Sequence, residues 1–312
     1  MNLDKIKQSI QPDEKRVWKK ANDFLERIEN LIRKNRLNAS AEIGGSLAKG
    51  TLLKGDYDVD VFVKFPKKYA TEKLADRLEK ILKPLNPERV HGSRDYFRKK
   101  DRGIQYEIVP VYDIRSRKEA VNITDASPLH AAWVNLQTKE KPELKDDIRL
   151  SKLFCKACGV YGAESYIKGF SGHVLDIITI HFGSFEKLIR SAAKWKEKEV
   201  VDFYDVYRGE ALKKLNKSKI QSPLIVIDPI DPERNAAAAL SEEMFAKFVG
   251  CAKAFAKKPS AKFFERKKFS LNKAKKKNSI VLAVTALKGK KDIVGSKLLL
   301  SLIHISEPTR PY

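Results

Sequence analysis

Gly44-Gly45-Ser46-Leu47-Ala48-Lys49-Gly50-Thr51, followed by Asp56-Tyr57-Asp58-Val59-Asp60-Val61-Phe62-Val63, decides how this chain is read. The first block sets a glycine–serine turn ahead of a strand, and the second block is that strand. Side chains in a strand alternate between faces, so Asp58 and Asp60 project together while Val59, Val61 and Val63 turn into a core. Two neighbouring carboxylates repel unless something positive sits between them, and a pair of Mg²⁺ ions suits their hard oxygen ligands. Glycines such as Gly45 let phosphates approach backbone N–H groups, and Ser46 adds a hydroxyl donor. Together these parts point to metal-dependent chemistry on a nucleoside triphosphate.

A site that activates a 3′-hydroxyl needs a third carboxylate. Glu107, in the alternating run Gln105-Tyr106-Glu107-Ile108-Val109-Pro110-Val111-Tyr112-Asp113, is the best placed. Asp58 and Asp60 would bridge both metals, Glu107 would hold the ion that lowers the hydroxyl's pKa, and the second ion would neutralise the departing pyrophosphate. Asp56 and Asp113 compete for the third place, Asp56 from the turn before the strand and Asp113 from the end of its run. Without a metal, Asp58 and Asp60 would be an ordinary solvent-facing strand edge.

Composition bounds the partners. Lys and Arg number 63 against 40 Asp and Glu, a net charge of +23 over 312 residues. So basic a balance calls for a polyanion, most economically a nucleic acid. Lys253 to Lys297 is especially rich in lysine, with Phe255, Phe263, Phe264 and Phe269 interleaved; RNA could lie on such a patch, although the phenylalanines fit a core better. An apolar content of 42% supports real cores and excludes global disorder. No run of about 18 apolar residues occurs and the N-terminus is a charged helical pattern, so a soluble, cytoplasmic protein without membrane contact is expected. Cys155, Cys158 and Cys251 make no disulfide framework, and Cys155-x-x-Cys158 falls inside a helical pattern, which reads as core packing.

Helical spacing predicts a helix from Pro12 to Leu37, with Pro12 in its first turn, and further helices over Thr71–Leu82, Leu129–Leu136, Asp146–Val160, Gly172–Phe182, Phe185–Trp195 and Glu242–Ala256. Strands are predicted over Ala41–Gly44, Asp58–Phe65, Glu88–Gly92, 105–113, Leu224–Ile227 and 279–284. The texture turns helical from Ser127 onward, with boundaries near residues 138 and 265. The fold class is α+β: a mixed sheet with helices, then a mostly helical region.

The glycine–serine turn with its D-x-D strand is the signature of the DNA polymerase β-like nucleotidyltransferases, and the rest of the chain narrows the resemblance. Ser127-Pro128-Leu129-His130, Arg149-Leu150-Ser151-Lys152, Gly159-Val160-Tyr161-Gly162-Ala163-Glu164, Gly169-Phe170-Ser171-Gly172, Gly183-Ser184-Phe185 and Ile227-Asp228-Pro229-Ile230-Asp231-Pro232-Glu233-Arg234-Asn235 resemble the archaeal (class I) CCA-adding enzymes. The match runs in order from about residue 10 to about residue 300.

This resemblance implies a tRNA nucleotidyltransferase that adds C, C and A to the tRNA 3′ end from CTP and ATP. Ser46 and Lys49 would contact the triphosphate. His130, Lys152, Tyr161 and Ser171 would line the nucleotide pocket, and Arg234 would help select the base. Plainer roles are open to four of them: His130 as a capping or core histidine, Tyr161 as packing, Ser171 as a helix cap, Arg234 as a partner of Asp228 or Asp231. Two positions depart from the family pattern: Glu107 stands where Asp is usual, and Lys49 where Arg is common. The implied organisation is a catalytic head over 1–138, a nucleotide- and tRNA-binding central domain over 139–265, and the start of an α/β C-terminal tRNA-binding domain over 266–300. Residues 301–312 do not resemble the family and look like translated sequencing adapter, so they are read as a non-native tail. Two related functions compete: a poly(A)- or oligoadenylate-type RNA nucleotidyltransferase, and a non-catalytic RNA-binding relative. Oligomeric state is left open, a homodimer included.

Overall fold

The structure, a computed structural model, describes residues 1–70, 73–92 and 94–266. The N-terminal part runs α1 (Leu3–Ile10), α2 (Glu14–Lys34), β1 (Ser40–Ile43), α3 (Gly45–Ala48), β2 (Asp58–Phe65), α4 (Leu74–Leu82), β3 (Glu88–Val90), β4 (Tyr96–Asp101) and β5 (Ile104–Tyr112). Beyond it come α5 (Ser127–Gln137), α6 (Leu144–Cys158), α7 (Gly172–Phe182), α8 (Phe185–Ala192), β6 (Glu199–Val201), α9 (Ala211–Lys214), β7 (Leu224–Val226) and α10 (Glu242–Lys257). Phe269, the lysine clusters beyond it, the strand expected over 279–284 and the tail 301–312 lie outside the described residues.

Five strands form one sheet in the order β1-β2-β5-β4-β3, with β2 and β5 parallel and the other neighbours antiparallel. The alternation read from sequence decides its faces. Val59, Val61, Val63 and Phe65 are fully buried and meet Phe24 and Ile28 of α2 and Leu78 of α4 in one core. Phe24 also stacks on Tyr106 of β5, with ring centroids 3.8 Å apart. The opposite face of β2 and β5 carries Asp58, Asp60 and Glu107.

Pro110 lies inside β5, a costly place for a proline in a paired strand. Here Gln105 and Asp113 donate their N–H groups toward β2, so even-numbered β5 residues point theirs the other way. β4 pairs with β5 only from Ile104 to Ile108. The donor that Pro110 lacks therefore falls where no ladder continues.

The long N-terminal helix begins later than its spacing predicts: Asp13 caps α2 by accepting from the Arg16 N–H, and Pro12 precedes that cap. Residues 3–10 form a separate helix, α1. β4 escapes sequence reading because, among Tyr96 to Asp101, only Phe97 is buried.

The second core is built from helices around Phe154 of α6, which meets Phe185, Phe248, Phe255, Phe263 and Phe264. The described phenylalanines of the lysine-rich stretch thus pack inward. Cys155 is buried in the same cluster. Ile10 of α1 and Trp133 and Val134 of α5 also join it. Within this region β6 and β7 pair in parallel, and the chain leaving β7 carries Asp228. No described helix is long and apolar enough to cross a membrane.

Candidate active site

The site grows from the turn between β1 and β2. Gly45 has φ +58°, and a Cβ there would lie 1.6 Å from Asp60 Oδ2; a Cβ on Gly44 would lie 2.0 Å from Phe62 Cε2. The glycine pair is thus demanded by the side chains of β2. Parallel pairing then sets Asp60 directly opposite Glu107, which brings the third carboxylate beside the D-x-D pair without any sequence proximity. The competitors are ion-paired, and Asp56 also lines the first cavity described below. Asp56 is ion-paired with Lys156 at 3.0 Å and with Arg266, while Asp113 meets Lys64 at 3.6 Å beyond the end of β5.

Burial pushes the Asp60 carboxyl up to about 7, and the charges of Glu107 and Asp58 add to this against the pull of Lys49. Excess negative charge on one enclosed sheet face is what a divalent cation relieves. Arg98, opposite Glu107 on β4, supplies part of that relief at 3.2 Å. By donor type and by charge the three carboxylates suit a hard divalent cation, while among the described residues only His130, His173 and Asp228 bring three ligand atoms within 4.8 Å of one another.

Two cavities meet at these carboxylates and share Gly45, Lys49, Asp60, Glu107 and His173. The first, of about 340 Å³, adds Ser46, Asp58, Lys152, Lys156, Tyr161 and Asp176. The second, of about 420 Å³, adds Arg94, Tyr96, Ser127, His130, Ser171 and Arg234. All eleven residues singled out from sequence line one cavity or the other. Lys49 does not stand free toward a ligand: its Nζ donates to Asp176 Oδ2 at 2.8 Å. Lys152 reaches Asp176 Oδ1 at 3.1 Å and Thr51 Oγ1 at 2.8 Å. Tyr161 lies under Lys156, whose Nζ is 4.2 Å from the ring centre, and burial raises its phenol pKa.

The second cavity has its own buried carboxylate. His130 and His173 present Nε2 to Asp228 Oδ2 at 3.1 and 3.4 Å, and Arg234 Nη1 donates to the same oxygen at 2.6 Å. Burial works against ionisation of Asp228, but the hydrogen bonds from His130 and His173 hold its pKa well below the usual range. Burial draws His173 down to about 4 despite its bond to Asp228. Ligand atoms of His130, His173 and Asp228 lie within 4.8 Å of one another, but the guanidinium on Asp228 repels a metal there and leaves an array of polar donors and acceptors. Two of the plainer roles coexist with cavity lining: Ser171 Oγ accepts from the Val174 N–H and caps α7, and Arg234 does pair with Asp228.

Sequence reading overlooked Lys156, His173 and Asp176, and met Asp228 only as a partner for Arg234. Signals for three were present. Lys156 comes one helical turn after Lys152, His173 adjoins Ser171-Gly172, and Asp176 is a lone carboxylate among Val174, Leu175, Ile177 and Ile178, where an unpaired charge is not tolerated.

Comparison with known proteins identifies the family. A family model for a nucleotidyltransferase domain matches residues 25–130, and one for the second domain of tRNA nucleotidyltransferases matches 146–265. The CCA-adding enzyme of Nanoarchaeum equitans is 40% identical over 236 residues, covering 74% of this chain and 59% of that enzyme. The enzyme of the same name from Thermococcus gammatolerans is 33% identical over 95% of this chain and 68% of its own length. Thus the chain spans roughly three fifths to two thirds of these relatives. Among solved structures, a cytoplasmic RNA terminal U-transferase superposes with a TM-score of 0.66 at 13% identity, over 85% of this chain and 97% of that one, which shows the shared nucleotidyltransferase fold. From its D-x-D strand to the segment carrying Arg234, the chain belongs to the family of archaeal CCA-adding enzymes.

Proposed function

We propose that this protein adds C, C and A to the 3′ end of tRNA from CTP and ATP, releasing pyrophosphate. The observation that carries the reading is the meeting of two cavities at Asp60 and Glu107, with Asp58 in the first, one lined by lysines and the other by His130, His173 and Arg234. A triphosphate in the first cavity and an acceptor end reaching in from the second would place the 3′-hydroxyl and the α-phosphate on either side of the carboxylates. Asp58, Asp60 and Glu107 would hold two Mg²⁺ ions, which when bound lower the pKa of the hydroxyl and neutralise the leaving pyrophosphate. Ser46, Lys49, Lys152 and Tyr161 orient the phosphates. His130, Ser171 and Arg234 face the base and sugar, where directional donors tell cytosine from adenine. The division of labour is a head over 1–138 and a central domain over 139–265, acting on tRNA in the cytoplasm.

The test supplies tRNA lacking its terminal nucleotides, Mg²⁺ and labelled CTP or ATP, and sizes the products. Addition that stops after C, C and A is expected. Untemplated A tails without C would replace this reading with a poly(A)- or oligoadenylate-type transferase. No incorporation would leave a non-catalytic RNA-binding relative.

A further inference from the structure

We propose, building on the reading above, that Asp176 is a positioning residue that holds the Lys49 and Lys152 ammonium groups side by side at the triphosphate cavity. Asp176 sits on α7 between buried aliphatic residues and is itself fully buried. It joins groups from two separate parts of the fold. Lys49 comes directly after α3 in the head, Lys152 lies on α6, and each places its Nζ on a different oxygen of this carboxylate, at 2.8 and 3.1 Å. Two buried ammonium groups so close repel each other and lose hydration, and a carboxylate between them offsets both costs. The arrangement still leaves N–H groups over. Lys49 directs one donor to Asp176, while Lys152 uses one on Thr51 and faces Asp176, and an ammonium carries three.

Groups from several elements face Lys152 and set its response to a loss of the Asp176 charge. Asp176 and His173 face it from α7, Lys49 and Thr51 from the head, Arg149 from its own helix, and Tyr161 from the segment after α6; Lys156, paired with Asp56, and Asp58, Asp60 and Glu107 line the same cavity. Burial already lowers the Lys152 pKa, with Asp176 the chief opposing influence and Lys49 and Arg149 acting with burial. Without the carboxylate, the chief influence opposing burial is gone, while Lys49 and Arg149 still act with burial. Lys152 then sheds its proton closer to neutrality, and phosphate binding weakens as pH rises.

The experiment is a calorimetric titration of the full 312-residue chain with inorganic tripolyphosphate at pH 6.5 and 8.5, comparing wild type, Asp176→Asn, Asp176→Glu and Lys49→Gln. Relative to wild type at each pH, Asp176→Asn is expected to bind about tenfold more weakly at pH 8.5 and to recover most of that loss at pH 6.5. Asp176→Glu keeps the charge and stays near wild type at both. A loss in Asp176→Asn that is equal at the two pH values, or absent, overturns the proposal. Lys49→Gln leaves Asp176 beside Lys152 and removes a charge that lowers the Lys152 pKa, so it should weaken binding no more at pH 8.5 than at pH 6.5; a larger loss at pH 8.5 overturns the proposal even if Asp176→Asn fails to fold. Failure of the wild-type protein to bind tripolyphosphate at either pH instead refutes the triphosphate reading of the cavity.

Discussion

The two cavities share Asp60 and Glu107, yet each is organised around a different buried carboxylate. Asp176 gathers two lysines, whereas Asp228 gathers two imidazoles and a guanidinium. The difference is one of directionality. An ammonium is a compact point charge that serves any phosphate oxygen, while imidazole and guanidinium present donors and acceptors at fixed angles. The lysine side therefore suits the part common to every nucleoside triphosphate. The histidine–arginine side suits the parts by which nucleotides and RNA ends differ.

The sharpest way to break this comparison is at the junction itself. Asp60→Ala removes the carboxylate that both cavities share, and it should reduce nucleotidyl transfer by about 10³-fold or more, equivalent to several kcal/mol of transition-state stabilisation, with tRNA binding by filter assay nearly intact. Near-normal turnover would refute the metal assignment. Asp228→Asn separates the two sides. It should shift the ratio of CTP to ATP incorporation by about tenfold, the effect of one or two misplaced directional hydrogen bonds, while tripolyphosphate affinity holds within about twofold. An equal loss on both nucleotides and on tripolyphosphate would erase the distinction.

The smallest effect is on stability. His173 has a folded pKa near 4, below its unfolded value near 6.5, so as pH falls through that window the unfolded chain takes up a proton there that the folded chain does not. Stability contributed at this position is present above about pH 6.5 and is lost toward pH 4. Urea unfolding at pH 7 and 4.5 should show wild type losing roughly 2 kcal/mol relative to His173→Asn. Asp60 titrates with the opposite sign, since its pKa is raised in the fold, but it contributes equally to both proteins and cancels from the difference. No pH dependence in that difference would mean that His173 is not held neutral beside Asp228.

Much of the head was legible because its signals are local. The D-x-D alternation, the glycine turn and the run over 105–113 each depend on neighbours a few residues away, and β2 begins and ends where the pattern predicts. Glu107 was legible as a candidate, but only the pairing of β2 with β5 ranks it above Asp56 and Asp113. The purpose of the glycines was half legible: their need was plain, while the close approach of Asp60 and Phe62 was not. In the central region, helices such as α7 could be read from periodicity, whereas in the head β4 and α1 carry too few buried residues to mark themselves.

Taken alone, the sequence determined the carboxylate-bearing strand, the basic character, the helical second half and eleven of the residues that line the cavities. Tertiary structure decided which of those residues are partners. Lys49 meets Asp176 across 127 positions and His130 meets Asp228 across 98, and no periodicity reports such a pairing. A strand's faces are set by the geometry of its own backbone, but a buried charge takes whichever partner the packing of distant helices brings within about 3 Å of it.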